Sequence, residues 1–282
     1  MTLIVGILCE GGIVLAADSQ ATLGSPAGMT AAVRTARKLT IVHEKAVIGV
    51  SGPVGLGQRL TALIEEKTKN HFHHDPMKIV GQLRSEMWSL VKPEIEASQV
   101  VARATNNANF LQNALCTTLV AMPTGDGAKL IQFAADCSPE FATPELPCVS
   151  IGSGQRSADP FLSFLRRTLW PNSGLPTVAD GLLLAHLTVR HVVDVDPSGV
   201  GGDSQLVSLA QVNGDWVARE HDQAEREQHE AAAKDLERVI AEWRASFKLG
   251  ATAGYRSTIP VAPIRRATCR GTTALAEMTC NY

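Results

Sequence analysis

"MTLIVGILCEGGIVLAADSQATLG", residues 1–24, decides the fold, because it places two apolar runs around a glycine turn at the start of the sequence. The first run extends from Leu3 to Leu8 and the second from Ile13 to Ala17, with Glu10 and two glycines between them. Two short apolar runs joined by such a turn predict a β-hairpin. We therefore expect the first residues of the sequence to be held in a sheet.

Composition favours a globular protein without membrane or nucleic-acid partners. No basic residue precedes the first apolar run and Glu10 interrupts it, so we expect neither a signal peptide nor a transmembrane helix. With 45% hydrophobic and 19% charged residues and a net charge of −2, the chain lacks the charge excess that nucleic acid or an anionic membrane attracts. Its six cysteines form no CxxC pair, which predicts free thiols and a cytoplasmic location.

Hydrophobic periodicity divides the following chain into strands and pairs of helices. Strands are predicted at 38–42, 46–50, 114–122, 129–135, 147–151 and 205–212. Helices are predicted from residue 53, at 75–102, at 158–169 and from Thr177, where Asp180 completes a capping box. Residues 24–32 and 103–113 are predicted as loops. This order indicates an α+β fold of antiparallel sheets with helices on their faces.

The last part of the chain differs in composition. Residues 222–247 place Leu236, Val239, Ile240 and Trp243 on one side of a charged sequence, which predicts an amphipathic helix. Residues 248–282 show little periodicity and are predicted to be a poorly ordered tail. We therefore expect a domain over 1–220, a helix over 221–247 and the tail.

Thr2 is the first candidate catalytic residue. Met before a small residue is usually removed, and the new terminal Thr would carry a hydroxyl and a free amine on adjacent carbons. The amine has a reference pKa of about 7.7–8.0, so it can accept the hydroxyl proton near neutral pH. Such a pair is a known form of activated nucleophile. A Thr at this position also occurs by chance, so its surroundings must decide.

Three residues at strand ends strengthen the case. Asp18 closes the second predicted strand, Lys38 opens the third and Gly52 ends the fourth. A Lys near the terminal amine would disfavour its protonated form and make it a better base, and an Asp would hold that Lys in place. Backbone N–H groups at the start of the helix after Gly52 suit a developing oxyanion.

The first ~60 residues resemble the β-type subunits of the proteasome family, especially the HslV-like bacterial ring peptidases. The matching features are Thr2, "AADSQATLG" at 16–24, the Lys of "RKLTIV", "VSG" at 50–52 and "SIGSG" at 150–154. The resemblance extends to about Trp216. It implies the four-layer αββα sandwich of the N-terminal-nucleophile hydrolases. The helix predicted at 222–247 lies outside the resemblance and would be a C-terminal helical extension of that fold.

The resemblance also implies roles for individual residues. Thr2 would be the nucleophile, Lys38 and Asp18 would tune it, the Gly52 N–H would bind the oxyanion and Ser153 would support the amine. Ala21 and Thr22 would offer backbone hydrogen bonds to an extended peptide. The specificity pocket would be lined by small apolar residues and take medium apolar side chains; these residues are Ala36, Val50 and Val54.

Two departures from the family pattern stand out. Leu3 replaces a second Thr, which should cost little if its side chain points inward. The family's D-x-x-S-G-G motif aligns imperfectly before the last predicted strand. When its two glycines are matched to Gly201 and Gly202, Val200 occupies the Ser position, and Asp196 lies one residue away from the Asp position. The hydrogen bonds by which this loop would support Thr2 are therefore in question. Either activity is reduced, or the loop is rearranged so that Ser198 supplies them.

Other motifs in the sequence are weaker. "HFHHD" at 71–75 lacks converging ligands for zinc, and "DVDPSG" at 194–199 lacks the final Glu of a calcium loop. "GPVGLGQRL" at 52–60 lacks the Lys of a phosphate loop. We expect no metal site and no cofactor, although carbonyls of the 194–204 turn could hold a cation.

The interpretation is a threonine endopeptidase that cleaves proteins or peptides inside stacked homo-oligomeric rings, with an AAA+ ATPase unfoldase as a possible partner. The helices within 52–102 would form the contact between rings. Two alternatives stay open: a structural or weakly active ring subunit, and a small-molecule amidase of the same fold.

Overall fold

The computed structural model describes residues 2–24, 30–69, 75–112, 114–170, 174–196 and 199–246. The strands in these ranges are β1 (Leu3–Cys9), β2 (Gly12–Asp18), β3 (Gln20–Gly24), β4 (Thr30–Thr35), β5 (Leu39–Val42), β6 (Ala46–Ser51), β7 (Thr117–Thr124), β8 (Gly127–Phe133), β9 (Pro139–Phe141), β10 (Cys148–Gly152), β11 (Ser204–Val212) and β12 (Asp215–Glu220). The helices are α1 (Val54–Thr68), α2 (Pro76–Thr105), α3 (Asn109–Gln112), α4 (Gln155–Leu169), α5 (Val178–Val195) and α6 (Gln223–Ser246). The predicted tail at 248–282 lies outside the described residues, as do 71–74 and 197–198.

Two antiparallel five-stranded sheets form the centre of the fold. The first has the strand order β10-β1-β2-β11-β12 and the second β5-β6-β7-β8-β9. One apolar core, with Leu15 and Leu119 among its members, joins residues of both sheets. A second core joins the first sheet to α4 and α5, and a third joins the second sheet to α1 and α2. These cores define the four-layer αββα sandwich, so the predicted fold class is confirmed.

The opening hairpin lies at the middle of the first sheet. Ile4 pairs with Ala17 in the β1–β2 register. Every residue of β2 is buried, because helices cover one face of this sheet and the second sheet covers the other. A strand buried on both faces reads as a continuous apolar run rather than an alternating one. Leu3 is fully buried, as expected for an inward side chain.

Some predicted loops contain regular structure. Gln20–Gly24 pairs with Thr30–Thr35 as a hairpin, where the Gly- and Pro-rich composition predicted a loop over 24–32. Helix α2 continues to Thr105 and ends at Asn106, whose left-handed backbone caps it, and α3 follows. The loop predicted over 103–113 is therefore wrong at 103–105 and 109–112, which are helical, and Asn113 lies outside the described residues.

The capping box of α5 is confirmed: the Thr177 hydroxyl accepts from the Asp180 N–H, and the Asp180 carboxylate accepts from the Thr177 N–H. A helix is present within 221–247 as α6, and three of the residues predicted on its apolar side, Val239, Ile240 and Trp243, are exposed. Of the described residues, those up to Ile240 belong to one compact unit and 241–246 to a second. Within the first unit, Ala233 of α6 is fully buried in the core that contains α4 and α5. The division of domains at residue 220 stays a prediction.

Two further findings concern the described residues alone. None of their helices is long and apolar enough to span a bilayer. Cys9, Cys116, Cys137 and Cys148 are free thiols.

Candidate active site

Asp18, at the end of β2, is the most enclosed polar residue of the site. Its side chain is fully buried. One carboxylate oxygen accepts from the Leu3 N–H at 2.8 Å and from Lys38 Nζ at 2.5 Å. The other accepts from the N–H groups of Gln20 at 3.3 Å and Gly201 at 3.1 Å. These donors match the acceptor capacity of an ionised carboxylate and fix both of its oxygens.

Lys38 lies just before β5 and brings its charge from the second sheet to Asp18 on the first. Its side chain is only 7% exposed. Burial lowers the pKa of the Lys38 ammonium below its ordinary value, while the hydrogen bond and charge of Asp18 oppose that shift. The structure therefore joins two of the predicted site residues in a buried ion pair.

Thr2 lies beside this pair at the start of β1. Its backbone nitrogen is 3.3 Å from Ser153 Oγ, toward which its N–H is directed. The Thr2 carbonyl accepts from the Gly154 N–H at 3.3 Å. Gly152 makes this approach possible: its φ is +99°, and a Cβ there would lie 2.1 Å from the Thr2 carbonyl oxygen. "SIGSG" therefore holds Thr2 through a glycine that no other residue could replace without displacement.

Gly52 follows β6 at the opposite side of the site. Its φ of +145° and the proximity of Cys116 leave no room for a side chain. Pro53 precedes α1 and makes no side-chain cap, so the first N–H groups of α1 point toward this region. Burial raises the pKa of the neighbouring Cys116 thiol to about 12, so this thiol is not a competing nucleophile near neutral pH.

A cleft of about 430 Å³ connects these residues. Thr2, Lys38 and Gly52 line it, together with four of the five predicted substrate-binding residues, which are Ala21, Ala36, Val50 and Val54. The fifth, Thr22, is the next residue along β3, where it pairs with Val33.

The lining of the cleft is more polar than expected. Its polar lining residues beyond Thr2 and Lys38 are Arg37, Thr40, Gln58, Thr61 and Glu65. The three residues predicted for the specificity pocket thus lie in a larger cleft that polar side chains also line, and their role in specificity stays a prediction. Gln58, Thr61 and Glu65 follow Val54 at helical spacing on α1, so the helix periodicity could have identified them.

The glycine loop before β11 supports the site through its backbone. The Gly201 N–H donates to Asp18, and the Gly201 carbonyl accepts from the Gln20 N–H at 2.8 Å. Val200, which occupies the expected Ser position, is buried in the core between the first sheet and its helices. Asp196 lies at the end of α5, where its N–H donates to the Val192 carbonyl. Ser153 and Gly154 hydrogen-bond to Thr2, and Ser198 lies outside the described ranges.

The structure also identifies a residue that the sequence patterns did not single out. Gln205 of β11 hydrogen-bonds to the segment that carries Lys38. Its position in an ordinary strand gave no signal.

Comparison with known proteins gives a consistent result at the level of family. A family model described as "Proteasome subunit" matches residues 2–199. A protein named "Proteasome subunit beta" from Methanothrix thermoacetophila is 38% identical over 68 residues, which cover 24% of this chain and 31% of that protein. One of the same name from Methanocella paludicola is 35% identical over 80 residues, which cover 28% and 37%. The chain thus spans about a third of the length of these curated relatives.

Solved structures match nearly the whole fold. "Anbu (ancestral beta-subunit) from Yersinia bercovieri" has a TM-score of 0.61 at 15% identity, covering 89% of this chain and 99% of that one. Anbu from Hyphomicrobium sp. strain MC1 has a TM-score of 0.56 at 18% identity, covering 85% and 97%. At these identities the likeness establishes a common fold and no more.

Proposed function

This chain belongs to the proteasome subunit family, and on that premise we propose that it is a threonine-type endopeptidase with Thr2 as its nucleophile. The observation that carries the proposal is that Thr2 opens onto the same cleft as a buried Lys38–Asp18 pair. The chemistry requires removal of Met1, so that Thr2 carries a free α-amine.

Acyl transfer then uses the groups around the cleft. The amine takes the proton of the Thr2 hydroxyl as its oxygen attacks the peptide carbonyl. The Lys38 charge disfavours the protonated amine and keeps it available as a base. The oxyanion that forms accepts a hydrogen bond from the Gly52 N–H. The protonated amine then gives its proton to the leaving nitrogen as the peptide bond breaks. Water hydrolyses the resulting ester, so no cofactor takes part in these steps.

The substrate is proposed to be an extended peptide. In the described residues β3 pairs with β4 alone, so its other edge is available for an added strand, beginning at Ala21. Ala36, Val50 and Val54 favour a medium apolar side chain before the cleaved bond. A panel of fluorogenic peptides should show this preference, and a preference for basic or acidic residues would overturn it.

We further propose assembly into stacked homo-oligomeric rings in the cytoplasm, with α1 and α2 at the contact between rings. A separate ATPase unfoldase would supply unfolded substrate. The narrower assignment to HslV-like ring peptidases is also a proposal, supported by the sequence motifs. A native mass of twelve or fourteen copies would support the rings, whereas a monomer or dimer favours the amidase alternative.

The decisive experiment combines intact mass with mapping of a Thr-directed epoxyketone adduct. The proposal predicts a mass without Met1 and one adduct on Thr2, absent from the Thr2→Ala variant. Retention of Met1 in the assembled particle would refute the mechanism. Absence of an adduct on the processed protein favours the structural subunit, for which the Val200 departure is the supporting observation.

A further inference from the structure

Gln205 uses both ends of its side-chain amide on one segment of chain. Its Oε1 accepts from the Lys38 N–H at 2.9 Å and from the Leu39 N–H at 3.3 Å. Its Nε2 donates to the Ala36 carbonyl at 2.8 Å. The two N–H donors on one side and the carbonyl on the other leave a single orientation of the amide that satisfies all three groups.

The segment that Gln205 holds lies mostly outside the strands and reaches only the first residue of β5. β5 begins at Leu39, so Ala36 and Lys38 precede its ladder. The Ala36 N–H donates to the Ser19 carbonyl at 2.7 Å, which anchors the beginning of the segment. Gln205 anchors the end of the segment, at the residue from which the Lys38 side chain extends toward Asp18.

The location of Gln205 links this segment to Asp18. Gln205 pairs with Ala17 in the β2–β11 register, one residue from Asp18. Lys38 is attached to the second sheet through β5, whereas Asp18 and Gln205 belong to the first. One side chain of the first sheet therefore sets the position of the backbone that carries Lys38 relative to Asp18.

We propose that Gln205 is a positioning residue that holds the Lys38 backbone so that its ammonium meets Asp18 beside Thr2. This inference rests on the proposed peptidase function and adds a residue to it. Gln205 acts through Lys38 and not on the substrate. The Gln205 amide donates through Nε2 and accepts through Oε1 at the same time, which neither an apolar nor an ionised acidic side chain can do.

Two substitutions separate positioning from simple packing. Gln205→Met keeps the length of the side chain and removes all three hydrogen bonds. It should lower kcat by about 10²-fold with little change in KM, because misplacement of a supporting group by about 1 Å has effects of this size. Gln205→Glu keeps the acceptor for Lys38 and Leu39, and should be at least about tenfold more active than the Met variant.

Both variants should melt below the native protein. Met leaves the Lys38 and Leu39 N–H groups and the Ala36 carbonyl without their partner, whereas Glu leaves only the Ala36 carbonyl unpaired but adds a half-buried charge beside it. Gln211→Met, at an exposed position of the same strand, is the matched control and should change neither kcat nor the melting temperature. A packing role predicts that Met, which keeps the length of the side chain, retains native kcat and that Glu is the less active variant.

The crystal structure of the full-length Gln205→Met protein gives a readout independent of activity. The Lys38 Nζ to Asp18 Oδ1 distance, 2.5 Å in the native protein, should exceed about 4 Å in the variant. An unchanged distance, native kcat in the Met variant, or a Glu variant no more active than the Met variant overturns the proposal. If the native protein neither cleaves peptides nor reacts with epoxyketone, the proposed function fails, and the distance still decides whether Gln205 positions Lys38.

Discussion

The two faces of β11 hold polar groups in different ways. Toward the second sheet, Gln205 fixes the segment of Lys38, which forms a buried ion pair with Asp18. Toward the helices, Ser204 and Ser208 hydrogen-bond to His186 and His221, both at 2.9 Å. The first face supports a buried ion pair in the site, whereas the second places imidazole rings against a helix layer.

The second face connects the sheet to α6. His186 Nε2 lies 3.1 Å from Glu230, and His221 Nδ1 lies 3.4 Å from Glu225. These two carboxylates are 33% and 29% exposed, whereas Asp18 is fully buried. We call the side of β11 toward the second sheet the site face and the side toward the helices the helix face. Water can replace a partner on the helix face but not at Asp18. We therefore expect substitutions on the site face to lower the free energy of unfolding much more than those on the helix face.

Lys38→Met should have the largest effect. It leaves the Asp18 charge buried without its cation, which should lower the free energy of unfolding by about 3–5 kcal/mol. Urea unfolding measures this, with Arg59→Met as the control, because the Arg59–Glu94 pair is about half exposed. That control should lose less than about 1 kcal/mol. Equal losses of unfolding free energy in the two variants would show that burial of the Lys38–Asp18 pair does not increase its contribution to stability.

Gly152→Ala should have the next largest effect. Gly127 has the same φ of +99° but open space around it, so Gly127→Ala measures backbone strain alone, about 1–2 kcal/mol. A Cβ at Gly152 also meets the Thr2 carbonyl and should cost about 1–3 kcal/mol more. It should also slow epoxyketone reaction at Thr2, unlike Gly127→Ala. Identical stability and reaction rates for the two variants would contradict this placement of Thr2.

Glu230→Gln tests the helix face. Loss of its charge weakens the contacts with His186, Arg190 and Lys234, and should lower the free energy of unfolding by about 1 kcal/mol. Peptidase activity should stay at the native level. Asp235→Asn, at a largely exposed position of the same helix, should cost less than about 0.5 kcal/mol. A clear loss of peptidase activity in Glu230→Gln would mean that the two faces are not independent.

The smallest effect should be a pH dependence of the helix face. Burial lowers the pKa of His221 below its ordinary 6.5; Arg219 adds to this, while Glu225 and Asp222 oppose it. The unfolded chain therefore binds a proton near pH 6.5 that the folded protein does not accept until lower pH. Stability should fall as pH drops below about 6.5. His221→Gln should reduce this slope in urea titrations, and an unchanged slope would exclude His221 as its source.

Local features were the easiest to predict. The β1–β2 hairpin, the α5 capping box and the amphipathic α6 follow from spacing over a few residues, and all three are present. The β3–β4 hairpin and β12 were missed, because their pairing depends on partners rather than on composition. Strand ends at Asp18, Lys38 and Gly52 indicated a site, but no sequence pattern gave the distances between them.

The sequence by itself determined the alternation of apolar and polar residues, the glycines with special backbone conformations and the chemical types available for catalysis. These depend on interactions within a few residues. Only the tertiary structure decided that Gln205 meets the Lys38 segment, that Gly201 donates to Asp18, and that one face of α1 lines the cleft. Such contacts depend on the register and stacking of two sheets, which the whole chain sets through the packing of its cores.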